Sequence, residues 1–103
     1  MITKGAAMQD SFCVIATITP KAEHLDEART ALLDIIPLTL EEAGCRTFRL
    51  LEAGDGKLWL YEEWDNPEAL EAHYAQPYTR SVFAAYEDWL AEPVRIEHLH
   101  RRA

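Results

Sequence analysis

The sequence predicts one α+β domain in which strands and helical regions follow the order β-α-β-β-α-β. Stretches rich in β-branched and aromatic residues alternate with stretches whose apolar residues recur at helical spacing. Prolines and glycines separate these stretches. A length of 103 residues fits a single domain. We assign this domain to residues 11–103 and expect residues 1–10 to form a flexible N-terminal arm.

The first strand is predicted at residues 11–19, which read SFCVIATIT and end before Pro20. Val14, Ala16 and Ile18 should point to one side, and the residues between them to the other. Both sides are largely apolar, which favours a strand that is covered on two faces.

A long helix is predicted at residues 21–43, where apolar residues recur at spacings of three and four. Pro37 lies inside this helix and should bend it, because a proline cannot donate the backbone hydrogen bond. Gly44 follows where a left-handed C-cap is expected.

A β-hairpin is predicted next, from strands at residues 45–52 and 57–64. Asp55-Gly56 lies between them, and Asp-Gly is a strong hairpin signal. Glu62 and Glu63 are adjacent and must therefore point to opposite faces. We expect one of them to face inward and to bond the backbone or a histidine.

The second helical region should begin at Asn66 as N-cap, with Pro67 in the first turn. Pro77 interrupts it, and a second helical stretch continues from Tyr78 until Pro93 ends it. The alternating residues 94–100 predict the last strand.

This order favours a ferredoxin-like fold, in which two helices cover one face of a four-stranded antiparallel sheet. The other face would also carry apolar side chains, and a monomer rarely exposes several hundred square ångströms of them. We therefore expect a homodimer that pairs the two sheets.

Charge and short motifs exclude several classes of function. A net charge of −8 argues against nucleic acid and anionic membrane partners. Residues 1–10 lack the apolar core of a signal peptide, and Cys13 and Cys45 suit free thiols in a reducing cytoplasm. Nucleotide-binding and zinc-protease motifs are missing from the sequence. His98 and His100 lack an evident third ligand, so no metal site is predicted.

Two segments carry a resemblance to a known family. The first runs from Pro37 to Cys45 (PLTLEEAGC) and is followed by Phe48-Arg-Leu. The second is LYEEWDNPEALEAH, which ends at His73 and is followed by Pro77-Tyr78. Together they resemble the antibiotic biosynthesis monooxygenase family, small domains that form dimeric α+β barrels. The resemblance covers Phe12 to about Leu99.

The resemblance implies a pocket between sheet and helices and several possible activities. Members oxidise quinols or aromatic polyketides with molecular oxygen and without flavin, haem or metal; others degrade haem or isomerise a small phosphorylated sugar. The haem degraders use an Asn, a Trp and a His. Trp64 matches the Trp, but Thr17 stands near the Asn position and Phe83-Ala-Ala-Tyr86 near the His position. Haem degradation is therefore disfavoured.

Within this fold, His73 is the candidate base, since a histidine can take a proton near neutral pH. A structural histidine that bridges helix and loop is the alternative. Trp64 could stack on a planar substrate, and Phe83 and Tyr86 could form pocket walls. A hydroxyl that orients a substrate oxygen could come from any of the four tyrosines, Tyr61, Tyr74, Tyr78 and Tyr86. Core packing is the alternative for each of them.

The leading hypothesis is a cofactor-independent monooxygenase that acts on a quinol or another electron-rich aromatic molecule. The same pocket could instead serve an isomerase of a small oxygenated metabolite, or a protein that binds an aromatic ligand without catalysis.

Overall fold

The structure, a computed structural model, describes residues 11–103; the predicted N-terminal arm lies outside the described residues. The strands are β1 (Phe12–Ile18), β2 (Cys45–Glu52), β3 (Leu58–Trp64) and β4 (Arg95–His100). The α-helices are α1 (Leu25–Leu40), α2 (Pro67–Tyr74) and α3 (Pro77–Trp89), and a short 3-10 helix (Ala22–His24) precedes α1.

The four strands form one antiparallel sheet in the order β2-β3-β1-β4, which confirms the ferredoxin-like α+β fold. The register pairs Val14 with Glu62 on β3 and with His98 on β4. Because side chains alternate along a strand, Glu62 lies on the same face as Val14, and Glu63 lies on the other.

The core lies between the helices and one face of the sheet. Strands β1 and β3 contribute apolar side chains that are nearly or fully buried, and each helix adds its inner face. The buried apolar residues of this cluster include Val14, Ala16, Ile18, Leu58, Leu60, Ala28, Leu32, Leu70 and Val82. We call this sheet surface the helix face and the opposite surface the open face.

Helix α1 ends earlier than predicted, at Leu40, and residues 41–44 form a turn. The backbone N–H of Glu42 bonds the carbonyl of Thr39, a tighter spacing than in an α-helix. Gly44 has a φ of 87°, the left-handed conformation that glycine adopts easily. Pro37 lies within the helix, which continues through it.

Proline and asparagine positions set the ends of the later helices. The Asn66 side chain accepts a hydrogen bond from the N–H of Ala69, so Asn66 is the N-cap of α2 as predicted. Pro77 opens α3, and the second helical region is therefore two helices.

The last strand begins at Arg95 and pairs with β1 at the edge of the sheet. All six residues of β4 are exposed. Cys13 and Cys45 are both free; Cys13 is buried and Cys45 is partly buried. Within residues 11–103, no helix is long and apolar enough to cross a membrane.

Candidate functional site

A cavity lies between the helix face of the sheet and helices α1, α2 and α3. About 30 Å³ of it is open to water-sized molecules, enough for one or two waters. Most of its wall is apolar, and a few polar side chains reach it. The lining comprises Ala16, Ile18, Leu32, Ile35, Phe48, Leu60, Glu62, His73, Tyr74, Thr79, Val82, Phe83, Tyr86, Val94 and Ile96.

His73 enters this cavity from the last turn of α2 and is only 3% exposed. Its Nδ1 lies 2.9 Å from Oε2 of Glu42 and 3.4 Å from the hydroxyl of Thr79. Because an ionised carboxylate can only accept hydrogen bonds, the proton belongs on Nδ1. Among the described residues Nε2 has no hydrogen-bond partner, so this nitrogen can accept a proton from a ligand.

Glu42 is the residue that sequence reasoning missed. It lies in the turn after α1, and its side chain is 7% exposed. The Tyr78 hydroxyl donates a short hydrogen bond to the Oε2 atom that also meets His73. Its Oε1 is buried and has no hydrogen-bond partner among residues 11–103. The one available signal was the Glu41-Glu42 pair before Gly44, but the sequence predicted a helix through residue 43 and so did not place Glu42 in a turn.

Among the described residues, four aromatic rings pack around the His73 imidazole, and those of Trp64 and Phe48 are the nearest. The ring centroid of Trp64 lies 4.9 Å away, and that of Phe48 lies 5.4 Å away. Trp64 is fully buried and does not line the cavity. Trp64 therefore packs against His73 from outside the cavity wall. This position does not support the predicted stacking of Trp64 on a substrate.

Glu62 faces inward and lines the cavity, while Glu63 lies on the open face. Glu62 accepts a hydrogen bond from Nε1 of Trp64 at 2.9 Å, and not from the backbone or a histidine as expected. Burial raises the pKa of Glu62 to about 7; the charge of Glu42 also raises it, and the Trp64 hydrogen bond lowers it. This carboxyl can thus hold or release a proton near neutral pH.

The aromatic candidates divide between the two faces of the sheet. Phe83 and Tyr86 line the cavity, with ring centroids 5.6 Å apart. Burial raises the pKa of Tyr86, so its hydroxyl stays protonated. Tyr61 lies on the open face, away from the cavity, and donates to Glu63 at 2.5 Å. Strand alternation places it there, so Tyr61 cannot orient a ligand inside this cavity.

The part of the chain that the structure describes contains no group of three or more His, Cys, Asp or Glu side chains that could hold a metal ion. His98 and His100, the pair considered from the sequence, both pack against Phe12, with ring centroids 5.2 and 5.5 Å from that of Phe12. What the cavity offers is proton transfer: a histidine held by a carboxylate, and a second carboxyl in the same wall.

Comparison with known proteins assigns this chain to a family. The family model described as antibiotic biosynthesis monooxygenase matches residues 11–85. The Mycobacterium tuberculosis protein named "Putative monooxygenase Rv0793" is 31% identical over 90 residues, which cover 86% of this chain and 89% of that protein. Its solved structure superposes with a TM-score of 0.82 and covers 86% of this chain and 92% of that one.

Other solved structures share the fold. The protein PA3566 from Pseudomonas aeruginosa has a TM-score of 0.86 at 26% identity, covering 93% of this chain and 98% of its own. A conserved protein from Methanosarcina mazei has a TM-score of 0.86 at 20% identity, covering 94% and 98%, which shows the fold alone. With the family model matched over most of its length, this chain belongs to the antibiotic biosynthesis monooxygenase family.

Proposed function

We propose that this protein is a cofactor-independent monooxygenase that oxidises a quinol or a similar electron-rich aromatic molecule with molecular oxygen. One observation supports it above the others: His73 lines an aromatic-walled cavity while Glu42 holds its Nδ1, which leaves Nε2 as the nitrogen that can act as a base. A quinol becomes a much better electron donor to oxygen once it loses a proton. A histidine base positioned beside it supplies that step.

The side chains that line the cavity also suit this chemistry. Phe83 and Tyr86 offer aromatic surfaces to a planar ring, and the apolar wall excludes water from the deprotonated substrate. A quinol is larger than the space now open, so its entry requires side chains of the wall to move apart. Val94 and Ile96 line the cavity at the exposed edge strand β4, to which Ile96 belongs. This edge is where we expect the wall to open.

Oxygen uptake tests this proposal. The purified, metal-stripped protein is given a panel of quinols and anthrones, and autoxidation is subtracted. We expect uptake that survives a chelator and falls about 10²- to 10⁴-fold in His73→Ala. His98→Ala is the matched control, because His98 is exposed on β4 and should keep wild-type uptake.

No uptake above background across the panel would refute the monooxygenase. Equal oxygen uptake by the wild type and His73→Ala would instead show that His73 takes no part in the reaction. Circular dichroism of each variant shows whether a lost activity reflects a lost fold.

A second candidate is an isomerase of a small oxygenated metabolite, which is supported by the presence of two groups able to move a proton, His73 and Glu62, in one cavity wall. The same His73–Glu42 pair would move a proton within the substrate, without consuming oxygen. A protein that binds an aromatic ligand without catalysis is the remaining alternative, and it would show neither oxygen uptake nor isomerisation.

We further propose that the protein works as a homodimer in the cytoplasm. Apolar side chains on the open face support the dimer, and two free cysteines suit a reducing compartment. The proposed partners are thus a second copy of the chain and a small aromatic molecule, with no nucleic acid or membrane.

A further inference from the structure

The carboxyl of Glu62 is an ionisable group in the cavity that has no role in the base catalysis proposed for His73. Glu62 is 4% exposed and lies in the cavity wall. One carboxyl oxygen accepts the Trp64 indole N–H at 2.9 Å. The other makes no hydrogen bond within residues 11–103 and belongs to a side chain that lines the cavity.

A buried carboxyl with a single neutral donor is costly, so its position calls for an explanation. Phe48 on β2 and Val14 on β1 are its direct cross-strand neighbours, and both are apolar. Replacing Glu62 by an apolar residue would remove this cost. A role that needs a carboxyl in the wall explains why it is there.

The ionisable groups around Glu62 lie on α2, on α3 and near the start of β2, whereas β1 faces it with the apolar Val14. Tyr74 on α2 and Tyr86 on α3 interact with its charge, as do Cys45 and Glu42 near the start of β2. His73 on α2 shares the cavity wall. Of these groups only a protonated His73 is positive, so the surroundings favour the neutral form of Glu62 over the charged one.

We propose that Glu62 is a second proton-transfer residue, whose protonated carboxyl donates a hydrogen bond to an acceptor oxygen of the bound aromatic ligand. In this scheme His73 takes a proton from the substrate, and Glu62 gives a proton to the acceptor oxygen atom. Trp64 connects them, because its indole N–H bonds Glu62 while its ring packs on His73.

These two proton transfers give a balanced oxygenase reaction, which rests on the function proposed above. For the anthrones of the test panel, the ring CH₂ and O₂ become a ketone and water. His73 takes the first proton, the carbanion reduces O₂, a C–O bond forms, and the protonated histidine returns its proton to give a hydroperoxide. Loss of the remaining C–H proton to His73 then forms the C=O bond and breaks the O–O bond. The leaving oxygen takes the Glu62 proton and departs as water, and the proton on His73 restores Glu62.

Ligand binding tests the hydrogen bond without any turnover. The probe is 1-indanone, an aromatic ketone whose single polar atom accepts hydrogen bonds, and calorimetry gives its Kd at pH 6 and pH 8. We expect wild-type protein to bind about tenfold more tightly at pH 6, since ionised Glu62 cannot donate. Glu62→Gln keeps the size of the side chain and an N–H donor, so most of this pH dependence should disappear.

Glu63→Gln is the matched control, because Glu63 is the next residue and lies on the open face. It should bind 1-indanone as the wild type does at both pH values. The proposal is overturned if Glu62→Gln keeps the wild-type ratio of Kd values, or if wild-type protein does not bind 1-indanone at either pH. Any pH dependence that remains in Glu62→Gln belongs to His73 and the other groups of the wall.

Turnover separates this proposal from the proposed function. With a substrate that the wild type oxidises, Glu62→Gln should lose about 10²- to 10⁴-fold in kcat and should lose the fall in rate above neutral pH. Wild-type kcat and pH profile in Glu62→Gln would overturn the role of Glu62 while the oxygenase stands. No oxygen uptake in any variant, together with the expected indanone result, would refute the oxygenase and leave the proton donor in place.

Discussion

His73 and Glu42 are 31 positions apart in the chain, and the fold brings them into direct contact. The sequence placed His73 inside the domain, because it follows Leu70 by three positions on the inner side of a helix; its burial confirms this. The sequence could not supply the partner, because the helix was predicted to continue to residue 43, whereas Glu42 lies in the turn after α1. Contacts between a turn and a distant helix depend on the whole packing, which local patterns do not contain.

The contact between Glu42 and His73 predicts the tautomer of the histidine. In Glu42→Gln the amide can donate to Nδ1, which would move the proton to Nε2 and block the acceptor that faces the cavity. Nitrogen-15 NMR should show this exchange, and the turnover of any substrate that His73 deprotonates should fall about 10²- to 10⁴-fold.

Glu41→Gln is the control for that experiment, because Glu41 precedes Glu42 and is exposed. Its histidine spectrum should match the wild type. An unchanged tautomer in Glu42→Gln would show that the carboxylate does not orient His73.

Glu62 makes stability depend on pH. Burial raises its pKa from 4.5 to about 7 in the folded chain, so the folded state holds this proton more tightly than the unfolded state. Its contribution is fully present below pH 4.5 and is lost as pH rises to about 7. Relative to Glu62→Gln, the wild-type free energy of unfolding should fall by roughly 2 to 3 kcal/mol between pH 5 and pH 8.

Urea unfolding of both proteins at each pH measures this difference. Glu63→Gln should follow the wild-type curve, since its carboxylate lies on the open face. Parallel curves for Glu62→Gln and wild type would mean that Glu62 titrates in the folded chain as it does in the unfolded one.

At the scale of elements, the strands were the most predictable part of the sequence. The strand Cys45–Glu52 was predicted with the observed bounds, because the turn before it and the Asp55-Gly56 loop after it limit it sharply. The end of α1 was less predictable. Apolar residues continue at helical spacing to Ala43, yet the helix ends at Leu40, because the chain must turn to bring Gly44 against α2.

Gly44 makes a close contact that predicts a specific loss of stability. A Cβ atom at this position would lie 2.7 Å from the Cβ of Ala69, and its φ of 87° is unfavourable for other residues. Gly44→Ala should therefore lower the free energy of unfolding by about 2 to 4 kcal/mol, through backbone strain and overlap together.

Gly54→Ala separates these two causes. Gly54 has a similar φ of 84°, but a Cβ there would meet nothing within 4 Å. This variant should lose only about 1 kcal/mol, the conformational part. Equal losses in the two variants, measured by urea unfolding, would show that the contact with Ala69 relaxes without cost.

At the scale of the whole molecule, the open face remains to be explained. It carries the cross-strand pair Leu51 and Trp59, together with Ile15 and Leu99. Leu51 is 52% exposed and Leu99 is 45% exposed. The sequence predicted an apolar second face from the alternation of β1 and β3, and the register confirms that these side chains share it. What covers the face depends on a second molecule, which one chain does not contain.

We expect a second copy of the chain to cover the open face, since sheet-to-sheet pairing about a twofold axis buries the same patch on both subunits. Light scattering at micromolar concentration should then give a dimer mass. Leu51→Glu would place a charge in the interface on each subunit and should shift the protein towards monomer. Leu33→Glu is the matched control, because Leu33 on α1 is similarly exposed at 50% but lies away from the sheet.

The comparison of these two variants decides whether the open face is the interface. A dimer that withstands Leu51→Glu but dissociates in Leu33→Glu would place the interface on α1. A monomer mass for the wild type would leave Leu51, Trp59 and Leu99 in water, and the apolar composition of the face would then need another partner to explain it. If Leu51→Glu alone dissociates the dimer, then dimer formation also determines what surrounds β4, the exposed edge strand at the cavity. The oligomeric state and the opening of the cavity would then be linked through one strand.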